Sequence, residues 1–202
     1  MTVEQHTWLR KTAWNEKDEY HTPSVLVRPI LGYMPDHSTV WCPFDTAHSE
    51  FVLLLTEAGH RVIYSHIWHG QDFFTYKPDE PYDCIISNPP FTLKLAVFQR
   101  LYGLGKPFAI VMGLPILNYQ EVGSFFHRQQ LKGNYLQLLI VDKKVSFDGQ
   151  TSSFNNSFFC YKMLPMDIVF HHLEHNNSRS KFTGSRMKYD VLADPGSHTD
   201  EG

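Results

Sequence analysis

The chain has 202 residues, 42% hydrophobic and 14% aromatic, which is long enough for one domain with a substantial core and too apolar for a disordered chain. Its formal net charge of −3 excludes a global basic footprint, so any nucleic-acid surface has to be a local patch. The start is polar and no apolar run approaches the roughly 18 residues a membrane span needs, so no signal peptide and no membrane partner are expected, and a cytoplasmic location is.

Residues 1–19 place Trp8 and Trp14 among Lys11, Glu16, Lys17, Asp18 and Glu19 and read as an amphipathic helix or arm. Tyr20-His21-Thr22-Pro23 follows, and Thr22 or Ser24 can start a helix with Pro23 near its first turn. Thr39 to Asp45 reads as the first strand of an α/β sheet. Ser49 to Ala58 reads as a helix with Ser49 as N-cap and Gly59 as its stop, and His60 to Ile67 as a second β-rich run. This β-α-β order implies a parallel pair, and open parallel sheets bind ligands beyond the carboxyl ends of their strands, so the loop from Pro43 to His48 is the expected cradle.

Gly70-Gln71-Asp72 and Pro78-Asp79-Glu80-Pro81 read as turns, and Asp83 to Ser87 as a buried strand running into Asn88-Pro89-Pro90-Phe91. Thr92 to Tyr102 reads as a helix closed by Gly103 and Gly105. Pro107 to Met112 then reads as a fifth parallel strand, and Glu121 to Leu131 as a helix stopped by Gly133-Asn134. Leu136 to Val141, Lys143 to Phe147 and Ser157 to Met163 supply the last strands, with a hairpin around Asp148-Gly149-Gln150-Thr151. From His171 the apolar pattern is lost. The expected organisation is therefore an arm (1–19), one domain (20–170) and a polar tail (171–202).

Cys42, Cys84 and Cys160 lie far apart and suit small core residues in a reducing cytosol. The twelve histidines include His171, His172 and His175 but no spaced set with Cys or carboxylates, so no metal is expected.

The chemistry concentrates at Asn88-Pro89-Pro90-Phe91. Two prolines fix φ near −65° and remove two backbone donors, so the turn presents acceptors: the Asn88 side-chain carbonyl and the proline carbonyls, with the flat face of Phe91 beside them. Such a site suits a planar exocyclic amine. Two acceptors take its N–H protons and free its lone pair for attack on an electrophilic methyl group.

An Asn-Pro-Pro-Phe turn after a hydrophobic strand resembles the catalytic motif of S-adenosylmethionine-dependent amino-methyltransferases, chiefly the adenine-N6 enzymes acting on DNA, in a short, phage-like form. The resemblance covers roughly residues 20 to 165. It implies a Rossmann-like, seven-stranded methyltransferase sheet with helices on both faces and S-adenosylmethionine as cofactor. The partner it implies is nucleic acid, with DNA foremost. Asn88, Pro89, Pro90 and Phe91 would be catalytic. Tyr20, Thr22 and Pro23 resemble the segment that lines the cofactor's methionine end; Pro43, Phe44 and Asp45 fall on the cofactor loop; Asp72 and Phe73 resemble the pair that holds the cofactor's adenine; and Asn88 touches the cofactor as well. Phe91, Phe147 and Phe154 would pack on a target base, and Lys143 and Lys144 would touch phosphate.

The loop Cys42-Pro43-Phe44-Asp45-Thr46-Ala47-His48 departs from the family's pattern by lacking both glycines, and Ser65-His66-Ile67 offers no acid for the ribose hydroxyls. Three other readings stay open: methylation of RNA adenine, methylation of a protein glutamine amide, and a methyltransferase-fold binding module that no longer binds cofactor. Cytosine-C5 chemistry is disfavoured, since it needs a cysteine after a proline at the catalytic turn.

Overall fold

The computed structural model describes residues 22–147, 150–151 and 156–173. The arm over 1–19, Tyr20, Phe154 and the chain from residue 174 lie outside the described residues, and of Phe147 only the backbone is described.

Among the described residues nine strands form: β1 (Thr39–Cys42), β2 (Arg61–Tyr64), β3 (Cys84–Ser87), β4 (Phe108–Gly113), β5 (Gln137–Val141), β6 (Ser146–Phe147), β7 (Gln150–Thr151), β8 (Asn156–Tyr161) and β9 (Ile168–His171). Seven of them build one sheet in the order β2-β1-β3-β4-β8-β5-β9. Lys143 to Phe147, expected as a strand of that sheet with its turn at 148–151, supplies only the short β6, which pairs with β7 apart from the sheet, so Gln150 and Thr151 lie in a strand and not in a turn, because β8 takes β4 and β5 as its partners. β1, β2, β3 and β4 run parallel, and β8 is antiparallel to both β4 and β5. The carboxyl ends of β1, β3, β4 and β5 therefore share one edge. That edge carries the loops singled out above.

Among the described residues four α-helices cover the sheet: α1 (Ser24–Leu31), α2 (Glu50–Glu57), α3 (Lys94–Leu104) and α4 (Gln120–Gln130). Leu26, Val27 and Ile30 of α1 and Phe51 and Leu55 of α2 pack on one face, with Val40, Ile86, Val111 and Phe158. Val97, Phe98 and Leu101 of α3 and Phe125 of α4 pack on the other, with Trp41, Ile85, Ile110 and Phe159. Helices on both faces are thus observed as expected. β3, β4 and β8 are buried along their whole length, which is why they read as continuous apolar runs.

Local chemistry sets the boundaries. Ser49 is the extended N-cap of α2, Glu50 places a negative charge on its first turn, and Gly59 leaves the helix at φ 87°. Gly105 ends α3 in the same left-handed region, at φ 68°.

Two differences from expectation concern the sheet's flanks. No strand forms between β2 and β3: residues 65–83 hold only a 3-10 turn, Ile67–His69, because Gly70, Pro78 and Pro81 break the run and its aromatics pack inward instead. β4 is accordingly the fourth parallel strand and not the fifth. The seventh strand of the sheet is β9, beside β5, and Leu173 beyond it is 4% exposed and packed in the core, so the packed chain continues past residue 171. Among the described residues no helix is long and apolar enough to cross a membrane, and no group of three or more His, Cys, Asp or Glu is placed to hold a metal.

Candidate active site

The Asn88 turn leaves the end of β3 as the strand's backbone predicts. Ser87 is fully buried, Asn88 is half-buried, Pro89 and Pro90 are buried, and Phe91 opens a short 3-10 turn that leads into α3. Phe91 is half-buried and packs against the aromatic core. The Pro90 carbonyl accepts Leu93 N at 3.4 Å.

Asn88 Nδ2 donates to Thr22 Oγ1 at 3.0 Å, while Asn88 Oδ1 is buried and accepts nothing among the described residues. The turn thus holds its asparagine by the donor end and leaves the acceptor unspent. Thr22 is itself buried, and Pro23 is the N-cap of α1, so the segment ahead of the first strand and the turn after β3 come together.

A second group meets across the carboxyl end of β1. Pro43, Phe44, Asp72 and Phe73, together with Ile67, Phe74 and Leu93, line a partly open cleft of ≈ 320 Å³ including its solvent-open part. Phe73 is buried with its ring 4.8 Å from Phe44 and 5.6 Å from Trp41, which makes one wall aromatic. Asp72 Oδ1 accepts Phe74 N at 2.9 Å, so the carboxylate is fixed on that wall by its own turn.

Asp45 does not line this cleft. Its side chain turns inward, accepts the Ser87 hydroxyl, and is 6% exposed. Burial pushes its carboxyl up to about 6, against hydrogen bonds from Ser87 and Ser49 that pull it down. The missing glycines cause no backbone strain here: none of Thr46, Ala47 and His48 has a positive φ, and Thr46 N donates to Ser49 Oγ at 3.0 Å.

The position after β2, where no acid was found, is filled by His66. It is 3% exposed, and its Nδ1 accepts Trp68 N at 3.2 Å as N-cap of the Ile67–His69 turn. Burial and the neighbouring His69 lower it to about 4, so it is neutral at physiological pH. Ile67, Phe74 and Leu93 in the cleft, the role of His66 and the Asp45–Ser87 contact were not read from sequence. Only the spacing of Asp45 and Ser87 at the ends of neighbouring strands could have indicated the last.

Lys143 and Lys144 follow β5 on the same edge. Lys143 Nζ donates to the Leu173 carbonyl at 2.5 Å, which spends it on holding the end of β9. Lys144 is exposed. The three cysteines are buried and free, and burial raises each thiol, that of Cys84 to about 12, so none is a nucleophile.

No protein-family model and no curated protein matches the chain. Solved structures do. A protein assigned as a class I S-adenosylmethionine-dependent methyltransferase of Listeria monocytogenes superposes with a TM-score of 0.52 at 10% identity, over 84% of this chain and 71% of that one. A modification subunit assigned to a type I restriction enzyme of Vibrio vulnificus gives 0.46 at 16% identity, over 88% of this chain and 52% of that one. The 23S rRNA methyltransferase ErmE gives 0.46 at 11% identity, over 73% and 70%. The chain has the α/β, Rossmann-like fold of the class I methyltransferases, a statement that rests on the first of these and on the sheet itself.

Proposed function

We propose that the protein transfers a methyl group from S-adenosylmethionine to the exocyclic N6 amine of adenine in DNA. The observation that carries the reading is the Asn88 side chain, tethered through Nδ2 to Thr22 with its Oδ1 buried and unpaired at the open edge of the sheet. A buried acceptor without a donor costs about 1 to 3 kcal/mol, and an arriving amine relieves that cost.

The cofactor fits the residues present. Phe44 and Phe73 would offer ring faces to an adenine and Asp72 an acceptor to its amine, and Thr22, bonded to Asn88, and Pro23 would serve the methionine end. When bound, S-adenosylmethionine supplies an electrophilic methyl group. The chain does the rest. Asn88 Oδ1 and the Pro89 carbonyl accept the two protons of the substrate amine, drawing its lone pair out of conjugation with the ring. Phe91 packs on the base, which has to leave a duplex stack at a cost of about a few kcal/mol. No thiol takes part, in keeping with the raised cysteines.

The test is a methyl-transfer assay with labelled cofactor on DNA, RNA and protein, beside calorimetry with S-adenosylmethionine. Label on DNA alone supports the reading. Label on RNA or protein alone replaces the substrate, and no binding at about millimolar cofactor replaces the enzyme with a binding module.

A further inference from the structure

Large apolar side chains are left exposed at the β9 end of the sheet: Tyr135 ahead of β5, Met166 ahead of β9, and Ile168 and Phe170 on β9 itself, these last two 50% and 77% exposed. They belong to one corner, since Gln137 Nε2 donates to the Met166 carbonyl at 3.3 Å and the register sets Ile168 beside Leu138 and Phe170 beside Ile140. Val169 packs in the core on the face that α1 and α2 cover, so alternation turns Ile168 and Phe170 to the other face.

β9 is also the last strand of the sheet, paired among the described residues with β5 alone. Such an edge presents a row of backbone donors and acceptors, and proteins that keep it single place Lys, Pro or a bulge on it. Ile168-Val169-Phe170-His171 has none of these, and its ladder to β5 is unbroken. The opposite edge, β2, differs: it opens on Arg61, which pairs with Glu80.

The two undescribed ends of the chain join it on the face away from Ile168 and Phe170. Thr22 leads into α1, and Leu173, beyond β9, packs in the same core as Leu26 and Ile30 of α1. What complements the edge is the edge itself. Turned about an axis through Val169, the strand sets Ile168 opposite Phe170, a β-branched residue against an aromatic on one face of the sheet, and does so twice.

We propose that a second copy of the chain covers this edge, with β9 pairing antiparallel to β9 about a twofold axis at Val169, so that two seven-stranded sheets join into one. Because the paired strands run in opposite directions, the two candidate sites open on opposite sides of the dimer. The pairing does not rest on the cofactor reading.

Sedimentation of the full chain across about 1 to 100 μM tests it, beside backbone hydrogen exchange read by mass spectrometry over residues 166–171. With rising concentration the parent is expected to move toward twice its 23.5 kDa, and exchange at 166–171 to slow in step. Phe170→Glu, which sets a carboxylate at the pairing edge, should weaken association at least about tenfold. Leu53→Glu, at an exposed apolar residue of α2, should leave it unchanged. The exchange series on the parent needs no variant, so a poorly folded Phe170→Glu protein does not block the test. A parent that stays monomeric over the range overturns the inference, and slow exchange at 166–171 in that monomer would mean that the chain's own ends cover the strand. A dimer that survives Phe170→Glu, or whose exchange at 166–171 does not change with concentration, overturns it by moving the interface elsewhere.

Discussion

Asn88 spends its amide on Thr22 and leaves its buried carbonyl without a donor among the described residues. In the proposed reaction that carbonyl bonds more tightly as the substrate amine becomes tetrahedral, so Asn88→Ala should lower turnover by about 10²-fold or more with cofactor affinity changed far less. Single-turnover rates beside calorimetry separate the two, and parental rates in a folded, cofactor-binding variant would return the turn to a structural role. Phe91→Ala should raise the substrate KM as well as lower the rate, since a stacking face is worth roughly 1 to 3 kcal/mol per base. Asp72→Ala should weaken S-adenosylmethionine binding by about 1 to 3 kcal/mol; unchanged affinity places the adenine elsewhere.

At the scale of elements, the Ile67–His69 turn shows how the cleft is built. Gly70 closes it at φ 74° and no atom lies within 4 Å of where a Cβ would stand, so Gly70→Ala is penalised by its backbone alone, by about 1 to 2 kcal/mol. Because Asp72 lies two residues on, the same change should loosen cofactor binding, and thermal denaturation with and without cofactor reads both effects. This turn was legible in Gly70-Gln71-Asp72, as α2 was in Ser49 and Gly59 and the turn after β3 in Pro89-Pro90. The inward turn of Asp45 was not, since it depends on Ser87 arriving from a strand far along the chain, and neither was β9, whose apolar Ile168-Val169-Phe170 becomes a strand through pairing with β5. Local chemistry marks where elements begin and end; which neighbour completes them is a property of the assembled sheet.

Across the whole molecule, Asp45 and His66 set opposed pH dependences. Asp45 is raised from 3.8 to about 6, so its contribution to stability is full below 3.8 and is lost as pH rises through 6. His66 is lowered from 6.5 to about 4, so its contribution is full above 6.5 and is lost as pH falls through 4. The parent's Tm should therefore vary less with pH, between about 4 and 6.5, than that of either Asp45→Asn or His66→Gln, the first losing stability toward acid and the second gaining it. A flat profile in all three proteins would mean that neither group is held as its burial implies. With a net charge of −3, DNA binding should in turn be weak and steeply salt-dependent, and a filter-binding titration against salt checks it.

The bond between Thr22 and Asn88 joins residues 66 apart in the chain. Contacts of such separation close late, since the entropy of the intervening loop is lost before they return anything. The β1, β2 and β3 ladder can form from nearer neighbours, whereas the Asn88 acceptor is oriented only when the segment ahead of α1 has docked. In refolding from denaturant, sheet ellipticity should recover before the ability to bind cofactor does, and Thr22→Ala should shorten that lag while lowering the final affinity. A newly made chain would then pass through a folded but incompetent stage, and order of assembly, as much as composition, would decide when the protein becomes able to act.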